Sequence, residues 1–512
     1  MGQDVEARKF TRHDVHRFRA KVHECLDALG AMLAGKYFAD EDPTFGMEVE
    51  LNIVDGGLDP AMANAEVLDA ITDPPSDAQR PDSSGADYTF QTELGQFNIE
   101  INVPPHPLRG NSIRGLEDNL RASLDAADDR ARSVGARLAM IGMCPTLREQ
   151  HFEHKWISAN PRYDLLNQQI FAARGEDIEL QISGVALPGA KDAEELDVIC
   201  DTILPEAACT SVQLHLQVAP ADFAAHWNAA QALSGVQVAL SANSPFFAGR
   251  ALWHETRIPM FEQATDTRPL ELRNQGVRPR VWFGERWITS IFDLFEENSR
   301  YFPTLLPVCS DEHPLAALDR GDVPTLDELK LHNGTVYRWN RPIYDVVGEV
   351  PHVRLENRVL PAAPTILDTM ADAAFYYGTL RAFVDAERPV WSQMSFDAAA
   401  ENLHSAARYG FDSRLYWPET GWISPQELVL RRLLPMAYAG LSAFGVDDAA
   451  AARYLGVIEA RCLAQRSGSG WQREAVVARQ RAGEDRGEAL SGMLGDYLVQ
   501  MHEGNPVHTW GW

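Results

Sequence analysis

Charged and amide side chains recur at every second position in four short stretches of the chain. In "GMEVEL" they are Glu48 and Glu50, and in "VRLENRV" they are Arg354, Glu356 and Arg358. A β-strand places alternate side chains on one face, so each stretch predicts a strand with one polar and one apolar face. The stretches "QFNIEINV" and "VQLHLQV" repeat the pattern with Gln96, Asn98, Glu100 and Asn102, and with Gln213, His215 and Gln217.

These residue types are more typical of a binding site than of a solvated surface. A half-exposed antiparallel sheet also has one polar face, so that alternative stays open for each strand. Solvent-facing strand positions favour Thr, Lys and Ser, whereas Lys is absent from the four stretches. Glu, His, Gln, Asn and Arg are side chains that hold metal ions and phosphates.

A group of carboxylates on one face would need neutralisation. Glu48 and Glu50 would lie roughly 7 Å apart, twice the rise of a strand. Each such pair costs on the order of 2 kcal/mol in repulsion at an effective dielectric of about 20. Adding Glu93, Glu100 and Glu356 to one cavity raises that cost, unless protons or cations neutralise the group. Oxygen ligands with a single imidazole favour Mg²⁺ or Mn²⁺ over a structural Zn²⁺ site.

Two arginines, Arg354 and Arg358, flank Glu356 on the predicted polar face. Metal ions that bridge nucleotide phosphates, beside an arginine that stabilises the transferred group, are the setting of phosphoryl transfer. We therefore interpret Glu356 as a metal ligand and its neighbours as groups that bind phosphate or carboxylate. The sequence has no P-loop, Rossmann glycine pattern, HExxH or G-x-S-x-G motif, so a nucleotide would have to bind by another fold.

Four motifs in this order resemble the glutamate–cysteine ligase superfamily, specifically the bacterial carboxylate–amine ligase branch called GCS2. They are "FGMEVEL", "TELGQFNIEINVPP", "SVQLHLQV" and "HVRLENRVLPAAPTILD", and the resemblance runs from about 45 to 390. It implies an α+β fold with a glutamine-synthetase-like, funnel-shaped antiparallel sheet flanked by helices. It also implies that the funnel binds ATP and Mg²⁺, with Mn²⁺ as an alternative.

The resemblance further implies roles for individual residues, grouped here by function. The implied metal ligands are Glu48, Glu50, Glu93, Glu100, His215 and Glu356. The implied catalytic residues are Arg354, Glu356 and Arg358, and Arg358 would contact the transferred phosphoryl group. The implied substrate-binding residues are Gln213, Asn243 and Arg257. The implied nucleotide-binding residues are Tyr337, Arg338, Asn340 and Arg358.

The reaction expected from this resemblance is ATP-dependent amide formation. ATP would phosphorylate a carboxylate, such as the γ-carboxylate of glutamate, and an amine would then displace phosphate from the acyl phosphate. The product would be a γ-glutamyl amide such as γ-glutamylcysteine. Three alternatives stay open: a guanidino kinase on a related fold, a non-catalytic protein that binds amino acids or nucleotides, and, more weakly, a metal-dependent amide hydrolase.

Composition narrows the classes of partner. The chain has 512 residues, of which 45% are hydrophobic and 23% charged, as in ordinary globular proteins. A net charge of -27 argues against binding to nucleic acid or anionic lipid and leaves small molecules as the expected partners. The absence of a signal peptide or a long apolar run, together with six scattered cysteines, predicts a cytoplasmic protein with reduced thiols. A homo-oligomer is compatible with the sequence.

The chain is predicted to comprise a catalytic domain over 1–394 and a helical C-terminal extension over 395–512, packed on the core. The catalytic domain is predicted to begin with a helix at about 12–35 and to contain a Pro- and Ser-rich loop at 73–87. An enlarged region of loops and short helices is predicted at about 260–340.

Overall fold

The central element is a seven-stranded sheet, seen in a computed structural model that describes residues 9–38, 43–72 and 88–511. The loop predicted at 73–87 lies outside the described residues. The strands are β1 (Thr44–Asp55), β2 (Thr89–Thr92), β3 (Asn98–Pro107), β4 (Ala136–Ala139), β5 (Ser211–Val218), β6 (Asn340–Val347) and β7 (Val350–Pro361). Their order is β6–β7–β5–β1–β3–β2, β4 pairs with the last residues of β1, and all neighbours are antiparallel.

Strand register joins the polar faces into one surface. Residues directly opposite each other in antiparallel strands project to the same side of the sheet. Glu50 of β1 lies opposite Glu100 of β3. Glu356 of β7 lies opposite His215 of β5 on one side and opposite Arg341 of β6 on the other. Side chains from distant parts of the chain therefore share one face.

The reverse face of the sheet is largely apolar and covered by two helices, Phe223–Ser241 and Ile366–Val384. Nearly every residue of both helices is buried, which fits helices that are apolar on all sides. Tyr377 anchors the second helix, because its hydroxyl donates a 2.9 Å hydrogen bond to the backbone oxygen of His215. The residues of the sheet core on this side include Val49, Ile101, Leu214 and Leu355, all fully buried.

Further helices surround the sheet. The longer ones are Arg12–Ala34, Ser112–Ser133, Pro161–Arg174, Ile291–Tyr301, Phe396–Tyr409, Leu434–Ala443, Asp448–Ala464, Gly468–Arg481 and Arg486–Glu503. The shorter ones are Asn64–Thr72, Leu204–Ala207, Arg257–Ala264, Leu270–Asn274, Pro314–Arg320, Asp327–Asn333 and Pro425–Leu428. Short strand pairs join Ile178–Ser183 to Glu195–Cys200, Phe246–Phe247 to Arg250–Ala251, Val281–Trp282 to Tyr337–Arg338, and Leu415–Trp417 to Gly421–Ile423. The predicted α+β class, with an antiparallel sheet flanked by helices, is confirmed.

The C-terminal helices pack on the core through a buried ion-pair group. Arg461 donates to Asp368 at 2.8 Å and to Asp372 at 2.5 Å, and both acids lie on the helix Ile366–Val384. The same helix meets Leu434–Ala443 so closely that a Cβ on Gly440 would lie 1.8 Å from the backbone oxygen of Gly378. Among the described residues, none of the helices combines the length and apolar character needed to cross a bilayer.

Candidate active site

Three glutamates form an acidic cluster on the polar face. Glu50 comes from β1, Glu100 from β3, and Glu93 from the connection between β2 and β3. A carboxylate oxygen from each lies within 4.8 Å of the other two. The amide of Asn102 donates to Glu100 at 3.0 Å, and the side chain of Gln91 donates to the same oxygen. Strand register and the connection before β3 thus bring together carboxylates from two separate stretches of the chain, Glu50 from one and Glu93 with Glu100 from the other.

The acidic cluster holds more negative charge than its surroundings neutralise. Burial, together with repulsion from Glu50, raises the pKa of Glu93 to about 7. Burial and the neighbouring glutamates raise the pKa of Glu100 well above its ordinary value. Burial also raises the pKa of Glu50, although Arg358 and Arg257 oppose it. A divalent cation would relieve this repulsion, so the three carboxylates fit a Mg²⁺ or Mn²⁺ site.

Glu356 has the opposite electrostatic setting. One carboxylate oxygen accepts a 2.6 Å hydrogen bond from Nη1 of Arg358, and the other accepts a 3.0 Å hydrogen bond from Nη2 of Arg341. Burial would raise its pKa, but these two guanidinium groups hold the pKa of Glu356 well below its usual range. The side chain is therefore an ionised carboxylate in a buried position, 1% exposed.

Gln213 connects the acidic cluster to Arg358. Its amide nitrogen donates to Glu50 at 2.9 Å, and its amide oxygen accepts a 2.7 Å hydrogen bond from Nη1 of Arg358. The backbone nitrogen of Ser211 also donates to Glu50, at 2.6 Å. One side chain therefore separates the predicted metal site from the predicted phosphoryl-binding arginine.

His215 and Arg354 lie at the wall of a larger cavity. Nε2 of His215 is 3.2 Å from Glu48, and Nδ1 accepts a 3.2 Å hydrogen bond from Nε of Arg354. Arg354 also pairs with Asp345 at 3.4 Å. The cavity has a volume of about 560 Å³, and Glu48, His215 and Arg354 line it. This volume lies in the range of small-molecule and cofactor pockets.

A second, smaller cavity lies beside the acidic cluster. Glu50, Glu93, Arg257 and Arg358 line it. Arg257 is buried and paired with Glu255 at 3.2 Å, so one predicted substrate-binding residue does lie next to the acidic cluster. The wall of this cavity therefore contains both carboxylates and guanidinium groups.

Glu206, which no pattern in the sequence indicated, also lines this cavity. It belongs to the short helix Leu204–Ala207, and its carboxylate has no hydrogen bond or ion pair with the described residues. Burial and repulsion from Glu93 and Glu50 raise the pKa of Glu206 to about 8. A lone glutamate in a short helix has no alternation to reveal it, so the sequence held no usable signal.

Cys209 lines the same cavity. Burial raises the pKa of its thiol well above the ordinary value, so the sulfur stays protonated. A protonated, partly buried thiol is a poor nucleophile.

Arg338 is not in the site as predicted. Its guanidinium donates to Glu297 at 3.0 Å and to Asn298 at 3.0 Å. It also lies over the ring of Trp282, 4.7 Å from the centroid. These contacts occupy the side chain at the parallel strand pair outside the main sheet, and Arg338 is not among the residues that line the two cavities described above.

Asn340 lies on the reverse face of the sheet, which corrects the prediction that it contacts a nucleotide. Its amide donates to Gln231 and Ser234 of the helix Phe223–Ser241. The reason is register: Asn340 is opposite Asn357, and the amide of Asn357 donates to Asn340 and faces the same helix. The next residue, and not Asn340, shares the polar face with Glu356.

Asn243 and Tyr337 do not line either cavity. The amide of Asn243 donates to the backbone oxygen of Ala362 at 2.8 Å and to the hydroxyl of Tyr497 at 2.9 Å. The ring of Tyr337 packs against Phe261, with 5.3 Å between the centroids. Both residues are buried and neither lines a cavity of the site, although Phe261, on which Tyr337 packs, does line the smaller one.

The structure brings together most of the predicted site residues. The residues on the shared polar face or its cavities are Glu48, Glu50, Glu93, Glu100, Gln213, His215, Arg257, Arg354, Glu356 and Arg358. The predicted residues that do not line these cavities are Asn243, Tyr337, Arg338 and Asn340. The individual ligand and catalytic roles stay predictions.

Comparisons with known proteins give one curated relative and solved structures with a similar fold. A curated relative from Paenarthrobacter aurescens (strain TC1), named "Putative glutamate–cysteine ligase 2-1", is 31% identical over 208 residues, covering 40% of this chain and 43% of the relative. A crystal structure of glutamate–cysteine ligase from Francisella tularensis in complex with AMP has a TM-score of 0.52 at 13% identity, covering 93% of this chain and 96% of that one. It supports the fold.

A bifunctional glutathione synthetase from Pasteurella multocida aligns with a TM-score of 0.44 at 12% identity, covering 95% of this chain and 55% of that one. The match to the curated relative spans less than half of that protein's length. The model of glutamate–cysteine ligase family 2 (GCS2) matches residues 44–480, which is most of the chain. The chain therefore belongs to glutamate–cysteine ligase family 2.

Proposed function

We propose that this protein is an ATP-dependent carboxylate–amine ligase that forms a γ-glutamyl amide such as γ-glutamylcysteine. One observation carries the proposal. The acidic cluster of Glu50, Glu93 and Glu100 and the Arg358–Glu356 pair share a partly buried polar face, and Gln213 joins them. A site with this charge distribution suits a reaction in which a phosphoryl group is transferred.

The other predicted metal ligands lie on the same face as the acidic cluster, where they could bind further divalent cations. Glu48, His215 and Glu356 lie in adjacent register positions on the same face. When bound, Mg²⁺ would neutralise charge on the nucleotide phosphates. Arg358, held in place by Glu356 and Gln213, would stabilise the charge on the transferred phosphoryl group.

In the first step, an oxygen of the substrate carboxylate attacks the γ-phosphorus of ATP. The bond from that phosphorus to the leaving oxygen breaks, which gives an acyl phosphate and ADP. In the second step, the amine nitrogen attacks the acyl carbon and loses a proton, the carbon–oxygen bond breaks and phosphate leaves. The protein positions the reactants and needs no covalent nucleophile, which agrees with the protonated thiol of Cys209.

Glutamate as the carboxylate donor is supported by the family and by the name of the curated relative. The cavity beside the acidic cluster offers Arg257 for an α-carboxylate, next to the reacting site. Cysteine as the amine is the corresponding expectation for the acceptor.

Product analysis tests the proposal. The protein is incubated with ATP, Mg²⁺, glutamate and a panel of amines and guanidines; ADP release is followed, and products are identified by mass spectrometry. A γ-glutamyl amide formed in proportion to ADP supports the ligase. A phosphorylated guanidine without an amide supports the guanidino kinase, and no ADP release supports a binding protein.

Two variants calibrate that experiment. Glu356→Gln should lower turnover by about 10²-fold or more, because it removes the charge that holds Arg358. Glu195→Gln makes the same chemical change in an exposed carboxylate and should leave turnover unchanged. Equal activity of the two variants would contradict the role of Glu356.

A further inference from the structure

A third cavity, of about 270 Å³, lies at the β6 edge of the sheet. Four basic side chains contribute to its wall: Arg162, Lys330, Arg341 and Arg354. Two acids, Asp345 and Glu356, also line it. The protein as a whole carries a net charge of -27, so this cavity is a local exception to the overall acidity.

Arg341 has an unused donor in this cavity. The side chain is buried, with 8% of the residue exposed, and it uses Nη2 to donate to Glu356. Its Nε is fully buried and has no hydrogen-bond partner among the described residues. A buried donor without an acceptor is costly, so an anion in the cavity would gain a contact that the protein alone does not make.

Arg162 and Lys330 come from separate helices that meet at the cavity. Arg162 lies in the first turn of Pro161–Arg174, and Lys330 lies in Asp327–Asn333. A guanidinium nitrogen of Arg162 is 3.5 Å from the position that a Cβ on Gly334 would take. Lys330 pairs with Asp345 at 3.6 Å and remains partly exposed. The cations are thus brought together by tertiary packing and not by one local motif.

Charge is therefore divided across the polar face. The acidic cluster occupies β1, β3 and the turn before β3, whereas the basic residues gather at β6, β7 and the adjoining helices. Glu356 lies between them, bonded to Arg341 on one side and to Arg358 on the other. Negative and positive ends of this kind suit a site that places metal ions at one end and an anionic group at the other.

We propose that the cavity lined by Arg162, Lys330 and Arg341 binds an anionic group, a carboxylate or a phosphate, of one substrate. Arg341 is the central contact, through Nε and the free part of its guanidinium. The inference rests on the proposed function, since the anion belongs either to the amino-acid substrate or to the nucleotide. These two sources share the same recognition chemistry.

Binding and kinetics together test this proposal on the full chain. Inorganic phosphate is titrated into the protein by calorimetry, for the native chain and for Arg341→Gln, Lys330→Met and Arg414→Gln. Lys330 is partly exposed, so its variant serves if Arg341→Gln fails to fold. Arg414 is exposed and does not line the cavity, so its variant is the matched control. The first two variants should weaken phosphate binding by about tenfold, and the control should not.

Michaelis constants then separate the two sources. A rise in the KM for glutamate alone assigns the cavity to the substrate carboxylate, and a rise in the KM for ATP alone assigns it to a nucleotide phosphate. Unchanged phosphate binding and unchanged KM values in a folded Lys330→Met or Arg341→Gln variant would overturn the proposal. Phosphate binding needs no turnover, so it can succeed or fail independently of the ligase activity.

Discussion

Arg358 donates a 2.6 Å hydrogen bond to Glu356 from the same nitrogen that binds Gln213. The arginine is thus fixed between a charged partner and an amide that in turn binds Glu50. Because Glu356 also binds Arg341, one carboxylate orders two guanidinium groups on the polar face. This arrangement positions a cation before any substrate arrives, which is the form of preorganisation that favours charge development in a transition state.

Replacement of Arg358 tests whether its fixed position contributes to catalysis. Arg358→Gln should lower kcat by about 10²–10³-fold, since a preorganised donor is lost. Arg358→Lys keeps the positive charge but loses the forked geometry of the guanidinium. Its kcat should therefore lie between that of Arg358→Gln and that of the native protein. Steady-state kinetics, with circular dichroism to verify folding, measures the effect. Native-like kcat in Arg358→Gln would show that Arg358 does not act on the reacting group.

The acidic cluster should bind a divalent cation that stabilises the fold. Adding Mg²⁺ to EDTA-treated protein should raise the Tm, because the cation relieves repulsion among Glu50, Glu93 and Glu100. Glu100→Gln removes part of that repulsion, so it should stabilise the metal-free protein by about 1 kcal/mol at alkaline pH while reducing the Mg²⁺-induced shift. Differential scanning fluorimetry checks both effects. An unchanged Mg²⁺ response in Glu100→Gln would place the cation elsewhere.

Glu206 should make stability depend on pH in the metal-free protein. The pKa of its carboxyl is raised from 4.5 to about 8, so the folded state holds this proton more tightly than the unfolded chain does. The resulting stabilisation is complete below 4.5 and is lost as the pH rises through about 8. The free energy of unfolding of Glu206→Gln should therefore rise relative to that of the native protein by about 4–5 kcal/mol between acid and alkaline pH.

Urea unfolding at both ends of this pH range, in EDTA, measures that gain. Glu195→Gln provides the control, because its carboxylate is exposed. A stability difference between Glu206→Gln and native protein that does not change with pH would show that Glu206 does not titrate in this window.

The packing of the C-terminal helices on the core should depend on the buried ion pairs of Arg461. Arg461→Met leaves Asp368 and Asp372 buried without their cation and should cost about 3–5 kcal/mol in the free energy of unfolding. Arg431 is paired with Glu427 at the surface, 75% exposed, so Arg431→Met should cost less than about 1 kcal/mol. Equilibrium urea denaturation compares the two. Equal costs would show that the buried group does not hold the C-terminal region on the core.

Alternation in the sequence was enough to predict the strands that carry the site. Glu48 with Glu50, and Arg354 with Glu356, stand at every second position, and this fixes which side chains share a face. Pairing of the strands could not be deduced in the same way, because register depends on contacts between segments far apart in sequence. The sequence therefore gives the composition of the polar face but not the neighbours within it.

Arg341 and Asn340 show where prediction from alternation in the sequence fails. Both lie at the start of β6, where a short segment gives no clear alternation, and the choice of Asn340 for the pocket was wrong by one position. Register with β7 places Arg341 opposite Glu356 and turns Asn340 towards the helix Phe223–Ser241. A shift of one residue moves a side chain to the other face, so only the tertiary structure could assign these two.

Anomalous diffraction from crystals grown with Mn²⁺ and a non-hydrolysable ATP analogue tests the central claim most directly. We expect an anomalous peak among the carboxylates of Glu50, Glu93 and Glu100, with the phosphates of the analogue between this peak and Arg358. Occupied Mn²⁺ sites that lie away from these residues, or an analogue bound outside the polar face, would contradict the claim.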